Sequence, residues 1–477
     1  LILTPGELPD MLLTSATQVA DDLAVMLAWA SALRDQAPAT LEQLVRTPPA
    51  AADVLGWLRL AREIQGLHAA VGWVGLSLAQ AGQHALEATD LAGPERWDAL
   101  AQIERRYHQL LDQAHLLDPL QACLQALESQ QVACANPIVL LGVVDLNPIT
   151  RALLERCHGP LFALVQADTS ESAGFDAWGG LVLDYWLARP MDLSRAQVQV
   201  VDQPLDQAAA VVRNLVTAAQ QGPLRPDQIT LGCGDEALAH PLQRTLALAG
   251  LNTRLAAGRP LAHTAPAQLL AAWADYLTEP RFEHLAALVR HPDMHDLCCE
   301  ADPSGHYLTD LDSYLSEHLQ TKITGHWLGR DNEHQVLSRL VLRLARLIPP
   351  QAEKPRPINH WMPAVTDLLQ AVYGTRQLQR FQPEDYQLIT ALGHLNQSAR
   401  RFHSLPANSP LIPRVTFAQA LRLLLQQAAE NPIPPLEHDP AAELLGWLEL
   451  PLADSPKPGQ RPVPARWPAP RAGPASR

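Results

Sequence analysis

The stretch RHPDMHDLCCE, residues 290–300, holds the densest set of side chains able to do chemistry: His291, His295, Cys298 and Cys299 within two helical turns. Imidazoles at i and i+4 share a helix face and can hold one metal ion. Adjacent cysteines point in different directions on a helix, however, and no second ligand cluster follows. The favoured reading is a helix end with incidental buried thiols. LGCGDEAL, residues 231–238, sets Gly232 and Gly234 between a strand and a helix, where backbone N–H groups can meet a phosphate. It is too short for G-x-G-x-x-G, and a plain turn with Asp235 near the N-cap fits better. In VVDLNP, Asp145 follows an apolar run like the acid of a Walker B element, but no second acid follows it. No Gly precedes a Lys, so G-x-x-x-x-G-K-[ST] is absent, as are G-x-S-x-G and H-E-x-x-H. A restriction-type nuclease centre needs an Asp and a Glu/Asp-x-Lys to hold Mg²⁺ and activate water. The only lysines are Lys322, Lys354 and Lys457, and only Lys354 has an acid directly beside it, in a Pro-rich loop. These motifs assign no catalytic, cofactor-binding or metal site.

Around these residues, 47% hydrophobic and 18% charged content in 477 residues predicts a globular chain of two to four domains. A net charge of −14 excludes a chain-wide basic signature for nucleic acid, though not a local groove. Cys123, Cys134, Cys157, Cys233, Cys298 and Cys299 form no C-x-x-C, which predicts a reducing, cytoplasmic setting. No apolar run reaches the roughly 20 residues of a membrane span. The start, LILTPGELPDMLLTSATQV, lacks the basic n-region of a signal peptide.

The spacing of Leu23, Met26, Leu27, Trp29 and Leu33 predicts a helix, part of a helical region over 1–135 in which Asp53 caps a second helix. From 136 to 262 the texture is α/β. Ile138–Val144 reads as a strand buried on both faces; a short helix and a second apolar run, PLFALVQAD, complete a βαβ unit and imply a parallel sheet. AQVQVVDQP reads as a further strand ending at Asp202. A helix stopping at Gly222, a strand in RPDQITLGCGD and a helix ending at Gly250 follow it. Residues 263–440 are helical with Pro-rich breaks. The segment 441–477 begins as a core segment, a helix or loop running into a buried strand, then turns into SPKPGQRPVPARWPAPRAGPASR. That tail has seven prolines, five basic residues and no acid, and such a composition cannot bury enough surface to fold. Two readings stand for it: a shifted frame or truncation, which is favoured, and a basic arm for nucleic acid or a partner.

Between Val198 and Pro292 the order of elements resembles the second motor domain of superfamily 1 helicases. The helix from Asp206 to Gln220, the strand Asp227-Gln228-Ile229-Thr230-Leu231, the element Ala257-Gly258-Arg259-Pro260-Leu261 and the helix from Ala265 to Leu277 carry the likeness, and RFEHLAALVRHPD continues it. More narrowly, with LGWLELPLADSP, the chain is similar to AddB-type subunits of bacterial helicase–nuclease complexes. The resemblance implies an α/β fold with large helical parts: a parallel-sheet, P-loop NTPase-like core with helical insertions. It also implies a role in double-strand-break repair, with DNA and an active AddA-type helicase–nuclease as partners. The parent family is an ATP-dependent helicase and exonuclease using ATP, Mg²⁺ and in some members an Fe–S cluster. This chain departs from it: Cys233 and Gly234 stand where active motors carry a phosphate-reaching Arg, and the PD-(D/E)XK nuclease residues are missing. The expectation is a degenerate motor with no cofactor of its own, with Arg254 and Arg259 as nucleic-acid candidates by their place near AAGRPL. A helical scaffold that binds only protein is the alternative.

Overall fold

The computed structural model describes residues 2–450 apart from 14–16, 88–92, 130–131, 133, 135, 144, 191–197, 324–325, 330–333, 407–408, 430, 437–439 and 447–448. The Pro-rich tail and the start of AQVQVVDQP therefore lie outside the described residues. In chain order come α1 (Asp22–Arg34), α2 (Val54–Gly72), α3 (Leu78–Glu87), α4 (Pro94–Gln113) and α5 (Pro119–Ser129). Next are β1 (Ile138–Leu141), α6 (Pro148–Glu155), β2 (Leu161–Leu164), α7 (Pro204–Gln221), β3 (Thr230–Cys233), α8 (Glu236–Leu248) and β4 (Thr253–Leu255). The remainder comprises α9 (Ala265–Thr278), β5 (Arg356–Pro357), α10 (Ile358–Tyr373), α11 (Pro383–His403), β6 (Arg414–Val415), α12 (Phe417–Ala428) and β7 (Ala442–Gly446), with shorter helices between. The fold is mixed α/β, dominated by helices. Among the described residues, no helix is long and apolar enough to cross a membrane.

Two compact units divide the chain: Leu1–Phe162 with Leu261–Asn431, and Ala163–Pro260 with Pro432–Arg477. The first unit is a helical assembly whose starts are fixed locally. Asp21 accepts from Ala24 N at 2.9 Å to cap α1. The expected cap of α2 is present, Asp53 accepting from Gly56 N at 2.9 Å. Asn147 caps α6 ahead of Pro148, and Thr416 with Gln419 forms a reciprocal capping box on α12. Its two chain segments are tied at the surface, where Gln419 Nε2 donates to Ala52 O at 3.0 Å, and each segment has fully buried tryptophans, Trp29 in the first and Trp273 and Trp361 in the second.

β1 and β2 pair as a two-stranded sheet. Here the expectation of a strand buried on both faces is corrected. Val139 and Leu141 are 54% and 66% exposed, and Phe162 on β2 is 54% exposed. Two strands alone have no further layer to cover their outer face.

The second unit carries a three-stranded parallel sheet in the order β3-β7-β4. The closing segment does contain a strand, formed at its start, Ala442–Gly446, where a helix or loop is expected first, and it occupies the centre. Glu443 lies opposite both Thr230 and Arg254, and Leu444 opposite Leu231 and Leu255. The core beneath comprises Ala208, Ile229, Leu242, Leu246, Leu251, Ala442 and Leu444. Helix α7 stops before Gly222 as expected. The strand expected up to Asp202 is not formed: 198–202 runs without a ladder, Val198 and Val200 being 76% and 90% exposed. Alternating valines supply β propensity, but a strand also needs a neighbour, and the place between β3 and β4 belongs to β7.

Candidate nucleic-acid interface

Arg254 and Arg259 sit on the second unit's sheet and its flank. The Arg254 guanidinium pairs with the Glu443 carboxylate across β4 and β7. Arg259 exchanges two 2.8 Å backbone hydrogen bonds with Ile433. Gly258 makes that bridge possible: its φ is +79°, and a Cβ there would lie 2.4 Å from Ile433 O. The AAGRPL element is thus explained by strand closure. Gly232 likewise serves packing, since a Cβ on it would lie 2.3 Å from Leu450 Cδ1. Asp145 is exposed.

The 290–300 stretch divides. His295 Nε2 and Cys299 Sγ approach to 3.5 Å, and His295 Nδ1 lies 3.2 Å from Tyr307 Oη. His291 instead accepts from Asp293 N at 3.2 Å. Asp293 is a structural hub, accepting from Tyr373 Oη at 2.6 Å and pairing with Arg376 at 2.8 Å. Cys298 is buried, and burial pushes its thiol up to about 12.

Charge converges at a place where no motif pointed. β5 and β6 form a short antiparallel ladder, Arg356 opposite Val415 and Pro357 opposite Arg414, directly before α10. Trp361 anchors it from below, Nε1 donating to Val415 O at 2.8 Å, and Ile358 N donates to Pro413 O at 3.1 Å. Above the ladder opens a cavity of about 600 Å³ lined by Lys354, Pro355, Arg356, Pro357, Asn359, His360, His403 and Arg414. Three permanent cations and two imidazoles line it, and no carboxylate does. Glu353, next in sequence to Lys354, is exposed outside it. Among the described residues, no carboxylate pairs with Lys354, Arg356 or Arg414. Arg356 donates to Gln351 Oε1 at 2.5 Å and Arg414 to the Pro355 carbonyl at 3.3 Å, both neutral acceptors. The start of α10 adds the positive end of a helix dipole to the same wall. Such a concavity suits an anion, and its spread of cations suits successive phosphates. The signal in the sequence was the Lys-Pro-Arg run inside IPPQAEKPRP, which reads first as a helix breaker.

A second polar group is buried in the first unit. His68 on α2 and Glu104 and His108 on α4 bring one ligand atom each to within 4.8 Å of one another. Burial lowers both histidines, leaving neutral imidazoles, and raises Glu104 against the hydrogen bond it accepts from Leu78 N.

Comparison with protein-family models finds no match, and comparison with curated proteins finds none either.

Proposed function

We propose that this chain is a non-catalytic, helicase-like DNA-binding subunit of the AddB type, which holds nucleic acid beside an active helicase–nuclease partner of the AddA type during double-strand-break processing in the cytoplasm. The observation that carries the reading is the carboxylate-free basic cavity at Lys354, Arg356 and Arg414 on a chain of net charge −14. Local concentration of positive charge, unpaid by acids, is what a phosphate backbone recognises. The parallel order β3-β7-β4, closed by a strand from the 442–446 segment, suits a P-loop NTPase-like motor domain that has lost its phosphate-reaching residues. ATP, Mg²⁺ and any Fe–S cluster then belong to the partner or to the parent family.

Fluorescence anisotropy with labelled single-stranded and duplex DNA tests the reading. Saturable binding at low salt that weakens steeply as salt rises is expected, with no ATP hydrolysis. ATP turnover by the purified chain in the presence of DNA would defeat the non-catalytic assignment. Absence of binding at low salt would favour the second reading, a protein-binding scaffold. The exposed apolar row Val139, Leu141 and Phe162 supports that alternative, and equally suits docking of a protein partner.

A further inference from the structure

The buried group between α2 and α4 lacks something its chemistry calls for. His68 and Glu104 are 8% and 6% exposed, and His108 is half-buried. Glu104 and His108 are one helical turn apart, so both project toward α2. His68 Nε2 lies 3.5 Å from Glu104 Oε1, and the rings of His68 and His108 are 6.1 Å apart. The Glu104 carboxylate accepts from Leu78 N at 3.2 Å through each oxygen. A second carboxylate, Asp118, is 3% exposed; it accepts from Tyr107 Oη at 2.5 Å and from Gln121 N at 2.9 Å. Among the described residues, neither carboxylate is paired with a Lys or Arg. Around them stands an apolar and aromatic shell, Trp29 stacking on Tyr107 at 4.1 Å and lying 5.1 Å from His68. His108 Nδ1 is sealed from solvent and has no hydrogen-bond partner. Buried charge is ordinarily paired or bound to metal, and a sealed ring nitrogen with no partner costs free energy.

We propose that His68, Glu104 and His108 form a binding site for one divalent transition-metal ion of the zinc type. The donor set is two imidazoles and a carboxylate, which favours Zn²⁺ or Co²⁺ over Mg²⁺ or Ca²⁺. A tetrahedral ion with bonds of about 2.0–2.1 Å wants its donors roughly 3.4 Å apart. His68 and Glu104 already meet that spacing, and the outer limit of 4.8 Å within the set leaves a closure of side-chain scale. The ion would supply the missing positive charge and clip α2 to α4. The hydrogen bond from Tyr107, on α4, to Asp118, just ahead of α5, would brace the site from outside the ligand set.

The test uses the whole chain, stripped with chelator and titrated with Co²⁺. One equivalent should produce the visible absorption of tetrahedral Co²⁺, and Zn²⁺ should displace it. His108→Gln and Glu104→Gln should each weaken Co²⁺ binding by at least about 100-fold, since even supporting residues of metal sites are worth about 10–100-fold. His84→Gln, at an exposed imidazole outside both sites, should leave it unchanged. Should a variant fail to fold, carbethoxylation of the wild-type chain replaces it: Zn²⁺ must protect His68 and His108 from modification. No stoichiometric Co²⁺ band, a band that survives both ligand variants, or no protection by Zn²⁺ overturns the proposal.

Discussion

Replacing Arg356 and Arg414 by Gln removes two of the three permanent cations in the cavity while leaving Lys354. The backbone ladder that carries them stays, because its pairing and the Trp361 anchor use no guanidinium. Three phosphate contacts predict a log–log salt slope of about −2.1 on single strands and about −2.7 on duplex. A tenfold rise in salt then lowers wild-type affinity by about 100- to 500-fold. With Lys354 alone the slope falls to about −0.7 to −0.9, and the same rise costs only about 5- to 8-fold. Anisotropy titrations at five salt concentrations measure both slopes, with far-UV circular dichroism and thermal melting checking that the fold is kept. A variant slope equal to that of the wild type would show that phosphates bind elsewhere. A wild-type slope near zero would remove the phosphate argument altogether.

Further outcomes follow from the packing. Leu444→Ala empties a fully buried position in the central strand of the β3-β7-β4 sheet, and should cost about 2–5 kcal/mol in urea unfolding. Asp293→Ala strands the Tyr373 hydroxyl and the Arg376 guanidinium, for an expected loss of about 2–3 kcal/mol by the same measurement. His291 is held below the ordinary imidazole value by burial, against the opposing pull of Asp293 and with Arg376 acting in the same direction as burial. A depressed histidine means that the unfolded chain takes up the proton first. Its stabilisation is therefore whole above about pH 6.5 and is lost as the pH falls below that value, by at most about 1.4 kcal/mol per pH unit. His291→Gln should flatten that acid limb in urea midpoints measured from pH 7 to pH 5, and an unchanged limb would rule His291 out as its source.

Local chemistry was readable from the chain where it acts locally. Asp53 caps its helix because an acid before an apolar period satisfies the first N–H groups, and α7 ends ahead of Gly222, where the chain turns extended. The closing segment reads as a helix or loop running into a buried strand, and the strand forms at Ala442–Gly446. Its position between β3 and β4 was not legible, since pairing depends on partners nearly two hundred residues away. The same ignorance made Val198 and Val200 look like a strand: alternation records what a sheet would accept, not whether a place in one is vacant. The basic cavity was hidden for a related reason. Lys354 and Arg356 lie in a Pro-rich break, while Arg414 joins them only through the β5–β6 ladder. In the His68–Glu104–His108 group the sequence carries only the i, i+4 spacing of Glu104 and His108, and His68 joins them only through the packing of α2 on α4.

The central place of β7 also sets the order in which this protein can come into being. Arg254 meets its partner Glu443 across a separation of 189 residues. A ribosome has made α7, β3, α8 and β4 long before it releases the strand that joins them. Until then β3 and β4 are two short edges with nothing between them, sharing an apolar floor of Ile229, Leu246 and Leu251 that is still incomplete. Sheet completion waits for the last-made part of the described fold, after the intervening helices of 261–431 have been synthesised. Non-local pairing of this kind makes for slow folding and a long exposure of strand edges. The second unit should therefore be the late-maturing part of the molecule, and a chain stopped before Ala442 would carry the helices of that unit without a sheet to close them.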